Sequence, residues 1–91
     1  MAAAKQSVTI VNKRGLHARA SAKFVGAAAQ MDGTRITVTK DGNSAGGTWI
    51  LGLMMLGAAM GDTIEIAAEG DDAEAHLAQL VQLVESRFGE D

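Results

Sequence analysis

No cysteine occurs among the 91 residues. Disulfides and thiolate metal sites are therefore excluded, and a reducing compartment is permitted without being required. Aromatic side chains are scarce: one Trp, two Phe and no Tyr. Any core must come mainly from Val, Ile, Leu and Met. Positive charge is also short, with 8 Lys and Arg against 11 Asp and Glu and a formal net charge of −3. A general nucleic-acid binder would be basic, so that class is set aside. No stretch approaches the roughly 20 apolar residues of a membrane span. The longest apolar segment, residues 49–60, is interrupted by Gly52 and Gly57. Residues 1–6 lack the apolar centre of a signal peptide. The expectation is a cytoplasmic protein without membrane insertion. Two distant histidines and no cysteine give no metal-ligand set, and no Walker A or dinucleotide glycine pattern is present, since Gly46-Gly47 is not followed by Lys and Ser or Thr. Neither a metal nor a cofactor is expected.

What the chain does contain is periodic. Its length suits one domain over residues 1–91, and 47% of it is hydrophobic, enough for a core. Residues 6–11 alternate, with Val8 and Ile10 on one side, and predict a strand. Residues 18–30 are alanine-rich and predict a helix, with Ala18, Ala22, Val25 and Ala29 as a narrow stripe for packing on a sheet. Asp32-Gly33 marks a turn. Residues 34–39 alternate about Ile36 and Val38, and Asp41-Gly42 predicts a tight hairpin into a short, polar edge strand over 43–45. Residues 49–56 read as a short helix that Gly57 can end. Residues 63–69 form the clearest strand, with Ile64, Ile66 and Ala68 inward. In the last helix Leu77, Leu80, Val81, Val84 and Phe88 share one face. Asp71 or Asp72 would cap its start, Arg87 would lie in its last turn and Gly89 would stop it. The order β-α-β-β-α-β-α predicts an α+β fold, a two-layer open-faced sandwich of a four-stranded antiparallel sheet with three helices on one face. Ser7, Thr9, Thr37, Thr39, Thr63 and Glu65 would face water on the other side.

The chain is organised around Asn12-Lys13-Arg14-Gly15-Leu16-His17-Ala18-Arg19-Ala20-Ser21, between the first strand and the first helix. Gly15 supplies the backbone freedom or close approach a sharp turn needs. His17 then stands at the helix start, where free N–H groups and the positive end of the helix dipole favour an anion. A histidine there is equally compatible with a surface or capping role. Arg19 is the further signal. A cation in a first turn opposes the dipole, and such a placement suits anion binding, although a solvated arginine is the simpler alternative. An imidazole that is nucleophilic near neutral pH therefore lies beside two phosphate-favouring features. The backbone N–H groups of Ala18 and Arg19, with the guanidinium, can neutralise a phosphoryl group in flight. Lys13 and Arg14 add positive potential able to steer an acidic partner. His76 shows no partner in the sequence and reads as a solvated helix residue.

The segment Trp49-Ile50-Leu51-Gly52-Leu53-Met54-Met55-Leu56 is apolar nearly all round. A short helix on a sheet buries about half its circumference. With Leu53 and Leu56 inward, Ile50, Leu51 and Met54 are expected at the surface, with Trp49 at least partly exposed beside them. They form a candidate docking patch; a wholly buried segment is the alternative. So small a domain is expected to carry a shallow site, suited to passing a group between proteins.

Gly15-Leu16-His17-Ala18-Arg19 resembles the active-site signature of the HPr family, the histidine phosphocarriers of the bacterial phosphotransferase system. The resemblance extends over nearly the whole chain, including Phe24-Val25 and residues 50–57. It implies that His17 is phosphorylated on Nδ1 by enzyme I, which draws on phosphoenolpyruvate, and passes the group to a histidine of an enzyme IIA. It implies that Arg19 holds the phosphoryl oxygens and that Ile50, Leu51 and Met54 serve partner docking. Such a protein is a phosphotransferase component rather than a stand-alone enzyme. The Leu-Met-Met-Leu run and the form Gly-Leu-His-Ala-Arg-Ala-Ser look closer to the nitrogen-related, NPr-like branch. Two positions depart from the family pattern. Ala20 stands where proline is frequent, a change of small cost in a helix. Trp49 stands where many relatives carry a regulatory phosphoserine, so that regulation is not carried over; the neighbouring Thr48 offers a hydroxyl without further support. Two other functions fit less closely. One is a binding module of the same fold whose contacts with regulatory proteins are tuned by His17 phosphorylation. The other is a small acylphosphatase-like enzyme, which shares only size and class.

Overall fold

The computed structural model describes residues 2–90. The strands are β1 (Ala3–Thr9), β2 (Thr34–Lys40), β3 (Asn43–Gly46) and β4 (Thr63–Gly70), and the helices are α1 (Ala18–Ala29), α2 (Ile50–Met55) and α3 (Ala73–Glu85), followed by a 3₁₀ turn, Arg87–Gly89. The strands form one antiparallel sheet in the order β1-β4-β2-β3. β4 lies inside the sheet because it alternates most cleanly: Ile64, Ile66, Ala68 and Gly70 are buried, while Thr63 and Glu69 are exposed. Register places Val8 opposite Ile64, Val38 opposite Ile66 and Ala45 opposite Val38, so one sheet face is apolar from edge to edge. The short, polar β3 is an edge strand. The Asp41-Gly42 hairpin has positive φ at both residues (50° and 82°), as a primed two-residue turn requires.

The helices cover the apolar face. From α3, Leu77, Leu80, Val81 and Val84 all enter the core. Each such side chain taken fully out of water contributes about 1.5–3 kcal/mol. α1 is rotated relative to the alanine stripe expected from its sequence. Its buried residues are Ala20, Ser21, Phe24 and Ala28, whereas Ala18, Ala22 and Ala29 are exposed and Val25 is half-buried. Phe24 decides this rotation, since one phenyl ring gains more from burial than several methyl groups.

Three local expectations also change at the ends of α3. Asp72 precedes the helix, but in a left-handed conformation (φ 52°) and without a side-chain capping hydrogen bond. The helix stops at Glu85, so Arg87 does not lie in its last turn. The chain then turns through Arg87 (φ 61°), Phe88 (φ 55°) and Gly89 (φ 74°), and this turn, not a continued helix, delivers Phe88 to the core. His76 is not simply solvated. The Thr34 hydroxyl gives its proton to the Asp71 carbonyl, so at 2.8 Å the Thr34 oxygen accepts from His76 Nδ1. The contact ties α3 to the start of β2. β1 begins earlier than expected and ends before Ile10, which is nevertheless fully buried.

Candidate functional site

The loop from Ile10 to His17 is seated on the segment that follows α2. The Ile10 N–H donates to the Asp62 carbonyl and the Gly61 N–H donates back to Ile10, each at 2.8 Å. The Leu16 N–H donates to the Ala58 carbonyl at 2.9 Å. Gly15 makes this approach feasible in two ways. Its φ is +62°, and a Cβ there would fall 2.2 Å from the Ala58 oxygen. Leu16 is buried, and Ser21 Oγ donates to its carbonyl at 3.0 Å. These contacts pin the residue immediately before His17.

His17 is the N-cap of α1, with extended backbone (φ −71°, ψ −179°) and no side-chain cap. The first helical bond runs from the Ser21 N–H to the His17 carbonyl at 2.9 Å. The N–H groups of Ala18 and Arg19 precede that ladder and point out of the helix end. The His17 side chain is 16% accessible. Its Nδ1 lies 3.1 Å from the Gly15 carbonyl oxygen, which can only accept, so Nδ1 carries the proton in this arrangement. The same carbonyl accepts a 2.8 Å hydrogen bond from Asn12 Nδ2. Asn12 is buried, and among the described residues its Oδ1 has no hydrogen-bond partner. Asn12 thus acts on the ring through one shared carbonyl, a link that residue type and position alone do not announce.

Arg19 is brought to the same place, its side chain 63% accessible. Between the two stands Glu90, absent from the expectations. Its Oε2 is 2.6 Å from Arg19 Nε and its Oε1 is 3.4 Å from His17 Nε2. The turn at Arg87–Gly89 puts it there, anchored by buried Phe88 and by Lys23 Nζ donating to the Phe88 carbonyl at 2.8 Å. No sequence signal announces this placement, because Arg87 and Phe88 are not residue types that mark left-handed turns. A shallow depression of about 400 Å³ adjoins the site, lined by Lys13, Arg14, Arg19, Lys23, Gly89 and Glu90. It gathers four of the eight Lys and Arg in a chain of net negative charge.

The apolar surface lies on α2, which packs against α1. Trp49 is its N-cap, 56% exposed, and Ile50, Leu51 and Met54 are exposed as expected. Leu53 is fully buried, and Leu56 is half-buried rather than core. Met55, at 79%, is the most exposed member of the run, and Val11 and Met60 are exposed as well. A Cβ on Gly52 would fall 2.3 Å from the Trp49 ring, so the indole rests against the glycine backbone. Among the described residues no group of three or more His, Asp or Glu could hold a metal, and no helix is long and apolar enough to cross a membrane.

The profile described as the PTS HPr component phosphorylation site matches residues 4–86. The chain belongs to the PTS-HPr family. The phosphocarrier protein HPr of Neisseria meningitidis serogroup A is 45% identical over 94% of this chain and 96% of its own length. The phosphocarrier protein NPr of Shewanella violacea is 41% identical, covering 94% and 93%. The crystal structure of HPr from Thermoanaerobacter tengcongensis aligns with a TM-score of 0.91 at 41% identity, covering 97% of this chain and 98% of that one. The open four-stranded sheet with three helices is therefore the HPr fold, and family membership replaces the acylphosphatase-like alternative.

Proposed function

We propose that this HPr-family protein accepts a phosphoryl group on Nδ1 of His17 from phosphorylated enzyme I and passes it to a histidine of an enzyme IIA in the cytoplasm. The observation that carries the reading is His17 at the open end of α1 with the exposed guanidinium of Arg19 beside it. In the transfer, Nε2 first takes up a proton from solvent as Nδ1 releases its own, which leaves a neutral ring with the lone pair on Nδ1. Its lone pair then forms the new N–P bond while the donor's N–P bond breaks. That electron pair stays on the donor nitrogen, which takes up a proton. Arg19 and the N–H groups of Ala18 and Arg19 neutralise the oxygens as charge spreads over them. Nδ1 must leave the Gly15 carbonyl to become the nucleophile, so the ring moves before transfer. Trp49, Ile50, Leu51 and Met54, extended by Met55, form the surface on which both partners dock in turn.

A second role draws on the same patch: contact with regulatory proteins, tuned by the charge state of His17. The relatives named above carry both names, HPr and NPr, at comparable identity. The test is incubation with enzyme I and phosphoenolpyruvate followed by intact mass. One acid-labile, base-stable phosphoryl group is expected, and none on His17→Ala. An undiminished label on that variant would place the acceptor elsewhere.

A further inference from the structure

We propose that Met54 and Met55 are reversible oxidation sites: hydrogen peroxide converts their thioethers to sulfoxides, and the modified patch lets go of its partner while the fold stays intact. The inference rests on the reading of the α2 surface as the docking patch and adds a redox control to it. Three observations carry it.

The first is exposure. Among the described residues Met31 is 5% exposed and belongs to the core, whereas Met54 is 39%, Met60 58% and Met55 79% exposed. An oxidant in solution reaches the last three sulfurs and not the first. The second is the lack of a competitor. The chain has no cysteine, so no thiolate takes the oxidant before the thioethers do. The third is position. Met54 follows Ile50 by four residues and Leu51 by three, so these three share one side of α2. Met55 lines a depression together with Trp49, Gly52 and Leu56. Both thioethers therefore belong to the exposed apolar surface, while fully buried Leu53 holds the helix to the core. In the reaction, a sulfur lone pair attacks one peroxide oxygen. An S–O bond forms, the O–O bond breaks, and the leaving hydroxide takes the proton of the transferred oxygen and departs as water. Sulfur loses two electrons and peroxide gains them. The sulfoxide is polar and its oxygen is an acceptor. In the free protein water satisfies that oxygen, so folding is untouched. Under a docked partner it is desolvated against apolar side chains, which opposes binding. Two thiols reverse the change, giving thioether, disulfide and water.

The experiment uses the full chain as wild type, as the double variant Met54→Leu with Met55→Leu, and as Met60→Leu, each before and after dilute hydrogen peroxide. Peptide mass mapping locates each added oxygen, a thermal melt follows the fold, and titration with enzyme I measures docking. Mapping should find sulfoxide at Met54, Met55 and Met60, with Met31 unmodified. Oxidised wild type should melt as the reduced protein does and bind enzyme I about tenfold more weakly, the scale of a lost patch anchor. Methionine sulfoxide reductases supplied with dithiothreitol should restore the affinity. Each variant is compared with itself. Peroxide should leave the affinity of the double variant where it was and should weaken Met60→Leu as it weakens wild type. Unchanged affinity of oxidised wild type overturns the proposal. So does a lowered melt, which would make the oxidation damage to the fold, and so does a loss of affinity that persists in the double variant. Met54→Asp separates this proposal from the reading beneath it. If that variant binds enzyme I more weakly and oxidised wild type does not, the redox control alone fails. If neither weakens, the docking reading fails with it.

Discussion

α3 and α2 are both strongly apolar helices, yet they use that property in opposite ways. In α3 the apolar residues Leu77, Leu80, Val81 and Val84 fall on one stripe, and all four are buried. In α2 only Gly52 and Leu53 are buried, while Ile50, Leu51, Met54 and Met55 are exposed with Trp49 at their head. The difference lies in length and spacing. Thirteen residues give α3 room to segregate apolar from polar positions, and its outward positions are Glu, Gln and Ala. Six residues of almost unbroken apolar character leave α2 no polar face to turn outward. Apolar content predicts stability where it is periodic, and contact where it exceeds what one face can bury.

The sharpest way to break this comparison is a charge at neighbouring positions of α2. Leu53 is fully buried, so Leu53→Asp places a carboxylate without partners in the core and should cost on the order of 3–5 kcal/mol, enough to unfold a small domain. Met54 is exposed, and Met54→Asp leaves its charge in water when the protein is free. That variant should keep stability within about 0.5 kcal/mol. It should weaken enzyme I binding by about tenfold or more, as loss of a patch anchor does. Thermal melts and a binding titration separate the two. Equal melting of both variants would make α2 a second α3, with docking sought elsewhere.

A smaller perturbation asks whether the exposed side of α2 adapts where α3 could not. Gly52→Ala adds a methyl that collides with the Trp49 ring at 2.3 Å. Alanine gains roughly 0.5–1 kcal/mol over glycine within a helix. The indole is exposed and can swing aside, so the two effects should nearly cancel in a melt. The fluorescence of the single Trp should nevertheless shift to the red as the ring moves into water. A clear loss of stability with unchanged emission would mean that the ring is held as firmly as a core residue.

The same contrast explains what could be read before the coordinates. The succession of elements along the chain, the α3 face, the Asp41-Gly42 hairpin and the exposure of Trp49, Ile50, Leu51 and Met54 all follow from patterns local to a few residues. The alanine stripe expected to pack is not the buried face of α1, because alanine, abundant on every side of that helix, carries little burial drive compared with Phe24. The site was legible in part. His17, Arg19 and Gly15 lie together in the chain, and their adjacency is a local fact. Glu90 reaches them from the far end of the sequence through left-handed Arg87 and Phe88, residues that normally avoid that conformation. Asn12 was in plain view beside Gly15, but its influence runs through a shared backbone carbonyl, which composition does not encode.

The least effect is expected at the charged contacts of the loop that follows α2. The Asp62 carboxylate accepts from the Ala59 N–H at 2.9 Å and lies 3.7 Å from Lys40 Nζ, which also meets Asp41 at 2.9 Å. Asp62 thereby fixes the loop after α2 on which Leu16 is seated. The hydrogen bond that Lys40 donates to Asp41 is the largest influence and raises the Lys40 pKa above its ordinary 10.5; desolvation comes next and opposes it, and the attraction of Asp41 and Asp62 adds to the rise. A raised folded-state value means that the folded form holds the proton more tightly than the unfolded one. The resulting stabilisation is complete below the ordinary lysine value and is lost as pH rises through the folded one. These groups sit at the surface, where water and salt screen them, so Lys40→Met should be close to wild type in a melt at pH 7 and closer still in high salt. Any difference should persist from neutral pH up to about 10 and fade above it. A large, salt-insensitive destabilisation of Lys40→Met at pH 7 would show that the loop behind His17 depends on this pair, and that α2 is held less by Leu53 than its burial implies.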